Sequence, residues 1–164
     1  MIYQKRVIPS INAIRSIQKD IAGAADNEDK IKMLLTVLST ADTIRSEIFS
    51  PLQREFGLSE GKLIFLLTLK ENPQGIPLGA LARHVGTTLA TVSIMAKRML
   101  ASEAPLIELL NDPSDQRTRL ARLTPAGGEL LKKVLPSHTQ RICSFAARLT
   151  GDDVRAIETI LRKL

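Results

Sequence analysis

A mainly α-helical fold with one small β-hairpin is the class this sequence predicts, on three observations. Of its 164 residues 44% are hydrophobic, yet only 3% are aromatic and none is Trp. The core must then be built from Leu, Ile, Val, Ala and Met, which suits packed helices better than a sheet sandwich. Apolar residues recur at three- and four-residue steps through most of the chain, the helical period. The exception is Asn111 to Gly128, NDPSDQRTRLARLTPAGG. It opens as a turn and continues through Arg117, Arg119, Leu120, Arg122 and Leu123 as alternating cationic and apolar residues. It closes on Thr124-Pro125, a cap and a first helical proline in their preferred places.

Taken in order, residues 1–24 put Val7, Ile11, Ile14 and Ile21 on one stripe, with Pro9 in the first regular turn. A lone helix of that length is marginal in water, so the stripe must pack on the same chain or on a second subunit. Ala25-Asp26-Asn27 breaks it, and Glu28-Asp29 opens a helix over residues 28–49 with Ile31, Leu34, Leu35, Leu38, Ala41, Ile44 and Ile48 at helical steps. Ser50-Pro51 reads as the cap and first residue of a separate short helix ending at Gly57. Leu58-Ser59-Glu60 starts a Leu-rich helix to about Lys70, and Asn72-Pro73-Gln74-Gly75 is a turn.

Residues 77–85 form a short helix with Leu78, Leu81, Ala82 and Val85 inward, and Gly86-Thr87-Thr88 is a tight turn with a threonine cap. The next helix, residues 89–102, has Leu89, Val92, Ala96 and Met99 as its inner face and Met95 at the border. Two helices joined by a Gly-containing turn are the helix-turn-helix pattern. Leu106 to Leu110 and Thr118 to Leu123 are then the strands of a hairpin. A helix from Thr124, with a kink at Pro136, runs to Leu149, and Thr150-Gly151-Asp152-Asp153 caps a last one. The architecture expected is a winged helix-turn-helix domain embedded between long helices. Its parts are an N-terminal helical arm and helices over 1–57, the winged domain over 58–124, and C-terminal helices over 125–164.

The net charge of +6 favours anionic partners such as nucleic acid. A single cysteine, Cys143, excludes an internal disulfide and a cysteine zinc site and points to a cytoplasmic chain; it reads as a buried structural thiol between Ile142 and Phe145. The start has no continuous apolar leader and no stretch is long enough to span a bilayer, so no membrane partner is expected. No catalytic triad, acid pair, nucleotide loop or metal cluster stands at workable spacing, so neither an enzyme, a metal site nor a cofactor is expected. His84 and His138 read as ordinary surface or interface histidines.

The ordered fragments Gly57-Leu58-Ser59, Leu81-Ala82, Val92-Ser93, the run Asp112-Pro113-Ser114-Asp115-Gln116-Arg117 and then Leu123-Thr124-Pro125-Ala126-Gly127 give the chain a resemblance to the MarR family of bacterial transcription regulators. The most specific part is an Asp-x-Arg wing followed by Leu-Thr-x-x-Gly, which Asp115, Arg117, Leu123, Thr124 and Gly127 match at the family's intervals. The resemblance spans residues 57–127. It implies a homodimer, paired through long dimerisation helices over 1–57 and 125–164 that flank the winged domain, with a recognition helix and a wing from each subunit on a pseudo-palindromic site in double-stranded DNA. It also implies a repressor, with a small aromatic ligand as the candidate effector. The sequence departs from the family in the strand before the wing, Ala104 to Leu110, which has no cation, and in Ile94, where a polar or basic residue is common.

On this basis the DNA-facing residues are Thr87, Thr88, Ala90, Thr91, Ile94, Lys97, Arg98, Asp115, Arg117 and Arg119. Thr87 and Thr88 sit at a helix N-terminus, where free N–H groups attract phosphate. Thr91, Ala90 and Ile94 are small or apolar enough for the floor of the major groove, within reach of thymine methyls. Lys97 and Arg98 are better placed for the backbone. Arg117 at the wing tip would enter the minor groove, with Asp115 orienting an arginine by a charge-assisted hydrogen bond. Arg119 and Arg122 lie on opposite faces of one strand, so only one of them reaches DNA. A ligand pocket would draw on Leu38, Ile44, Ile48, Phe49, Phe65 and Leu66. A second reading, a winged-helix protein-interaction module with weak or lost DNA binding, draws on Ile94 and on the cation-free strand.

Overall fold

The computed structural model describes residues 28–113 and 118–163. The helix expected over residues 1–24 and the wing-tip residues Ser114 to Arg117, Asp115 and Arg117 among them, lie outside the described residues. Elements are numbered from the first described helix: α1 (Glu28–Phe56), α2 (Glu60–Glu71), β1 (Ile76–Pro77), α3 (Leu78–Val85), α4 (Leu89–Leu100), β2 (Ile107–Asn111), β3 (Arg119–Leu123), α5 (Pro125–Ala146) and α6 (Gly151–Leu161). The chain divides into two compact units at Pro51.

In the first unit the described residues are all α1. Met33, Leu34, Val37, Leu38 and Ile44 on this helix are exposed. The separate short helix expected from Ser50-Pro51 is not formed: α1 runs on to Phe56 with Pro51 inside it. A proline deprives a helix of one N–H bond and crowds one carbonyl, at a cost of about 3 kcal/mol, but its fixed φ is itself helical. The turn that follows carries Leu52, which is fully buried, and that burial offsets much of the cost.

The second unit is built on α2, whose Leu63, Phe65, Leu66 and Leu69 are buried together with Leu58 just before it. Ser59 caps α2 by accepting the Lys62 N–H at 3.3 Å, and Asn72 closes it by donating from its amide to the Thr68 carbonyl at 2.8 Å. Leu81 and Ala82 of α3, Val92, Ala96 and Met99 of α4, Ile107 and Ala121 of the hairpin, and Leu131 and Val134 of α5 complete the core. Each set follows the period of its element, which is why one face of each of these helices and strands closes on the same apolar volume.

The hairpin is part of a three-stranded antiparallel sheet in the order β1-β3-β2. Strand β1, two residues long, has no counterpart in the pattern of residues: Ile76 pairs with Ala121 and Pro77 with Leu120. Gly75, at φ +97°, brings the chain against β3, and a Cβ there would stand 3.2 Å from that of Leu120. The Leu-Thr-x-x-Gly run acquires a physical meaning at the start of α5. The Thr124 hydroxyl accepts the Gly127 N–H at 3.1 Å and donates to the Pro105 carbonyl at 2.6 Å. A Cβ on Gly127 would lie 2.2 Å from the Leu106 carbonyl oxygen. The threonine ties the helix to the strand before the wing, and the glycine lets the two backbones touch.

Helix α5 is continuous through Pro136 and ends at Ala146 rather than Leu149. Its inner stripe is Leu131, Val134 and His138. His138 is therefore not a surface histidine: it is 6% exposed, and burial, then the nearby Arg141 charge, lowers its pKa. Cys143 departs from expectation in the other direction, being exposed, because five residues past His138 it has turned off the buried stripe. Helix α6 starts with a reciprocal cap in which the Asp153 carboxylate accepts the Thr150 N–H at 2.8 Å and Asp153 N–H donates to the Thr150 hydroxyl at 3.2 Å. The Thr150 hydroxyl, which also donates to that carboxylate at 2.6 Å, and then the Thr150 N–H hold the Asp153 carboxyl below its ordinary pKa. Among the described residues no helix is long and apolar enough to cross a membrane.

Candidate nucleic-acid interface

The recognition helix is aimed by the turn before it. Helix α3 ends on Gly86 in the left-handed region at φ +69°, a conformation glycine adopts without strain. The chain then reverses with the Thr87 N–H bonded to the Ala82 carbonyl at 3.0 Å. Thr88 caps α4, accepting the Thr91 N–H at 3.2 Å, and the two hydroxyls lie 3.0 Å apart. With Val92, Ala96 and Met99 driven into the core, the opposite face carries Ala90, Thr91, Ile94, Lys97 and Arg98, all exposed, with Thr88 at its head and Thr87 half-buried behind it. From Thr87 to Arg98 there is no acidic residue, so the face presents a helix N-terminus at one end and two cations at the other.

Leu89 was expected inside and is 52% exposed, as exposed as Ile94. The reason is local. A helical side chain leans over the turn that precedes its own Cα, and Leu89, the first residue of α4, has no such turn to lean on. Helix α4 therefore exposes two large apolar side chains, Ile94 on its outer face and Leu89 at its N-terminal end, one more than the periodicity indicates.

In the hairpin, Glu108 stands opposite Arg122, Leu110 opposite Leu120, and Asn111 opposite Arg119. Arg122 Nε donates to Glu108 Oε1 at 2.8 Å, both side chains about 40% exposed (39% and 41%). Of the two strand arginines Arg122 is thus engaged within the sheet, while Arg119 is exposed at the tip end. Neither strand alone discloses this pair: it joins residues 14 apart through a register that only the folded hairpin sets. Of the pocket set, Phe65 and Leu66 are fully buried and serve as core of the second unit, while Leu38 and Ile44 of the first unit are exposed. Among the described residues no three His, Cys, Asp or Glu gather where a metal could be held.

No protein-family model matches the sequence, and no curated protein matches it. Solved structures do. A MarR family transcriptional regulator from Streptomyces coelicolor in complex with DNA aligns with a TM-score of 0.73 at 22% identity, over 82% of this chain and 84% of that one. AbsC, a MarR family transcriptional regulator from the same organism, aligns at 0.71 and 26% identity over 84% and 91% of the two chains. BpsR of Bordetella bronchiseptica, whose DNA binding is regulated by 6-hydroxynicotinic acid, aligns at 0.65 and 26% identity over 78% and 89%. Helices, helix-turn-helix and three-stranded wing sheet thus follow one plan, and in structure as in its residues the chain resembles the MarR family of transcriptional regulators.

Proposed function

We propose that the protein is a dimeric, sequence-specific DNA-binding repressor whose affinity for its operator is lowered by a small aromatic ligand. The observation that carries this is the outer face of α4: held by a capped, glycine-terminated turn, free of acid, and followed by a hairpin with an exposed arginine. In this proposal α4 enters the major groove, Thr87 and Thr88 meet phosphate, Lys97 and Arg98 hold the backbone, and Arg119 and Arg117 of the wing, with Asp115 beside them, address the minor groove. Residues 58–124 bind DNA, and residues 1–57 and 125–164 pair the subunits so that two recognition helices meet an inverted repeat. The likeness to BpsR, whose DNA binding responds to a pyridine acid, supports the ligand.

Selection of bound fragments from sheared genomic DNA at moderate salt tests the proposal. An enriched inverted repeat, with affinity falling steeply as salt rises because each bound cation releases counterions, is the expected result. A second reading, a winged-helix interaction module, is favoured by the Glu108–Arg122 pair, which cancels one wing cation, and by the exposed Leu89 and Ile94. Absence of any enriched sequence would decide for it.

A further inference from the structure

We infer that α4 identifies its half-site through the C5-methyl groups of thymine, contacted by Leu89, Ala90 and Ile94, and not through hydrogen bonds to base edges. The inference rests on the DNA-binding reading above and names what that face recognises.

The first two turns of α4 and the residues just before it, Thr87 to Met95, contain no Arg, Lys, Asn, Gln, Asp, Glu or His. Those are the side chains that grip a guanine or adenine edge by paired hydrogen bonds or accept from cytosine. The hydroxyls that remain are partly committed: Thr88 caps the helix and lies 3.0 Å from the Thr91 hydroxyl, and Ser93 is half-buried. What the face does offer is apolar. Ile94 lies opposite the buried line of Val92, Ala96 and Met99, flanked by Ala90 one turn earlier, and Leu89 stands at the head of the helix. Leu89 and Ile94 are each 52% exposed. In the major groove the one apolar feature that tells base pairs apart is the thymine methyl.

The charge around the patch selects DNA over an apolar protein surface as its occupant. Lys97 and Arg98 follow Ile94 on the same exposed face, no acid stands between Thr87 and Arg98, and the capped N-terminus adds the positive end of the helix dipole. Phosphates on either side of the groove complete that arrangement, with the apolar side chains on its floor.

The experiment compares thymine with uracil, which differ in that methyl alone. Full-length protein is given a random duplex library, and the selected site is resynthesised with each thymine replaced in turn by deoxyuridine. At one or two positions per half-site the replacement weakens binding about fourfold, the factor that burial of one methyl group supplies. Leu89→Ala and Ile94→Ala, both exposed and therefore neutral to the thermal midpoint, each erase the thymine preference at one position and leave the others. A selected site bound equally well with uracil throughout overturns the inference while leaving DNA binding intact. Thymine preference that survives both alanine variants overturns the residue assignment. A library from which nothing is enriched overturns the inference together with the function it rests on.

Discussion

Glu108 sets how much of the wing's positive charge is available. Its carboxylate holds Arg122 at 2.8 Å within the sheet, and because both side chains are well exposed the pair adds little to stability. In the proposed complex its effect belongs to binding, since an acid on the strand before the wing repels phosphate and occupies an arginine that could meet one. Glu108→Gln removes the charge and frees Arg122. The expected outcome is tighter binding to the selected operator, with the slope of log affinity against log salt steeper by about one ion. Titrations of both proteins at four salt concentrations would reveal it, and parallel slopes would place Arg122 away from DNA in either state.

His138 makes the second prediction at this scale. Burial, helped by the Arg141 charge, lowers its pKa from 6.5, so the folded protein holds the ring neutral where the unfolded chain begins to protonate it. The unfolded state then binds more protons in the window below pH 6.5, and the stability contributed by the neutral ring, complete above that pH, is lost as pH falls through the lowered folded value. Urea midpoints should decline from pH 7 to pH 5 for the native sequence. His138→Gln, at a lower overall stability, should decline less, and equal declines in the two proteins would assign the acid sensitivity to other groups.

At the scale of elements, the legible parts were those with a period or a cap. Val92, Ala96 and Met99 were readable as an inner face because three- and four-residue steps leave no other arrangement. The turn at Gly86-Thr87-Thr88 was readable from glycine and a capping hydroxyl. The misjudged parts depended on neighbours the chain supplies from far away. Ile76-Pro77 becomes a strand only because β3 arrives beside it, and Pro51 stays inside α1 although its local chemistry says break. Leu89 follows the helical period and is still exposed, because it is first in its helix. The pairing that sequesters Arg122 follows from hairpin register, which alternation of residues suggests but does not fix.

The start of α5 shows how motif and packing coincide, and it makes an element-scale prediction. Thr124→Ala removes an N-cap, at a cost of about 1 kcal/mol, and also the bond to the Pro105 carbonyl. Gly127→Ala places a methyl 2.2 Å from the Leu106 carbonyl oxygen, so α5 must withdraw from the strand before the wing. Its cost should be at least about 1–3 kcal/mol, the range for overpacked cores, despite alanine's better helix propensity. Chemical denaturation of the two variants checks the order, and a Gly127→Ala protein as stable as the native one would show that the contact is easily relieved.

The whole molecule presents apolar faces that the described single chain leaves uncovered. Helix α6 has no buried residue, yet Val154, Ile157 and Leu161 repeat at helical steps along it, with Ile160 beside them, all 43–53% exposed. An isolated eleven-residue helix is marginal in water, and a cap alone does not rescue it. Apolar stripes of this kind on a regular element mark association surfaces. In the proposed dimer the stripe is covered by the second subunit, and the exposed Met33, Leu34, Val37 and Leu38 of α1 are further surface for the same purpose. Ile157→Asp combined with Leu161→Asp places two charges on the α6 stripe without touching the core of the second unit. Sedimentation should then show a monomer where the native protein should show a dimer, while circular dichroism still reports a folded helix-turn-helix. Binding to a full inverted repeat should fall by about 10²–10⁴, the loss expected when two linked sites are separated, and binding to a single half-site should stay as it was. A double variant that remained dimeric would move the interface off α6 and leave the arm and α1 to supply it.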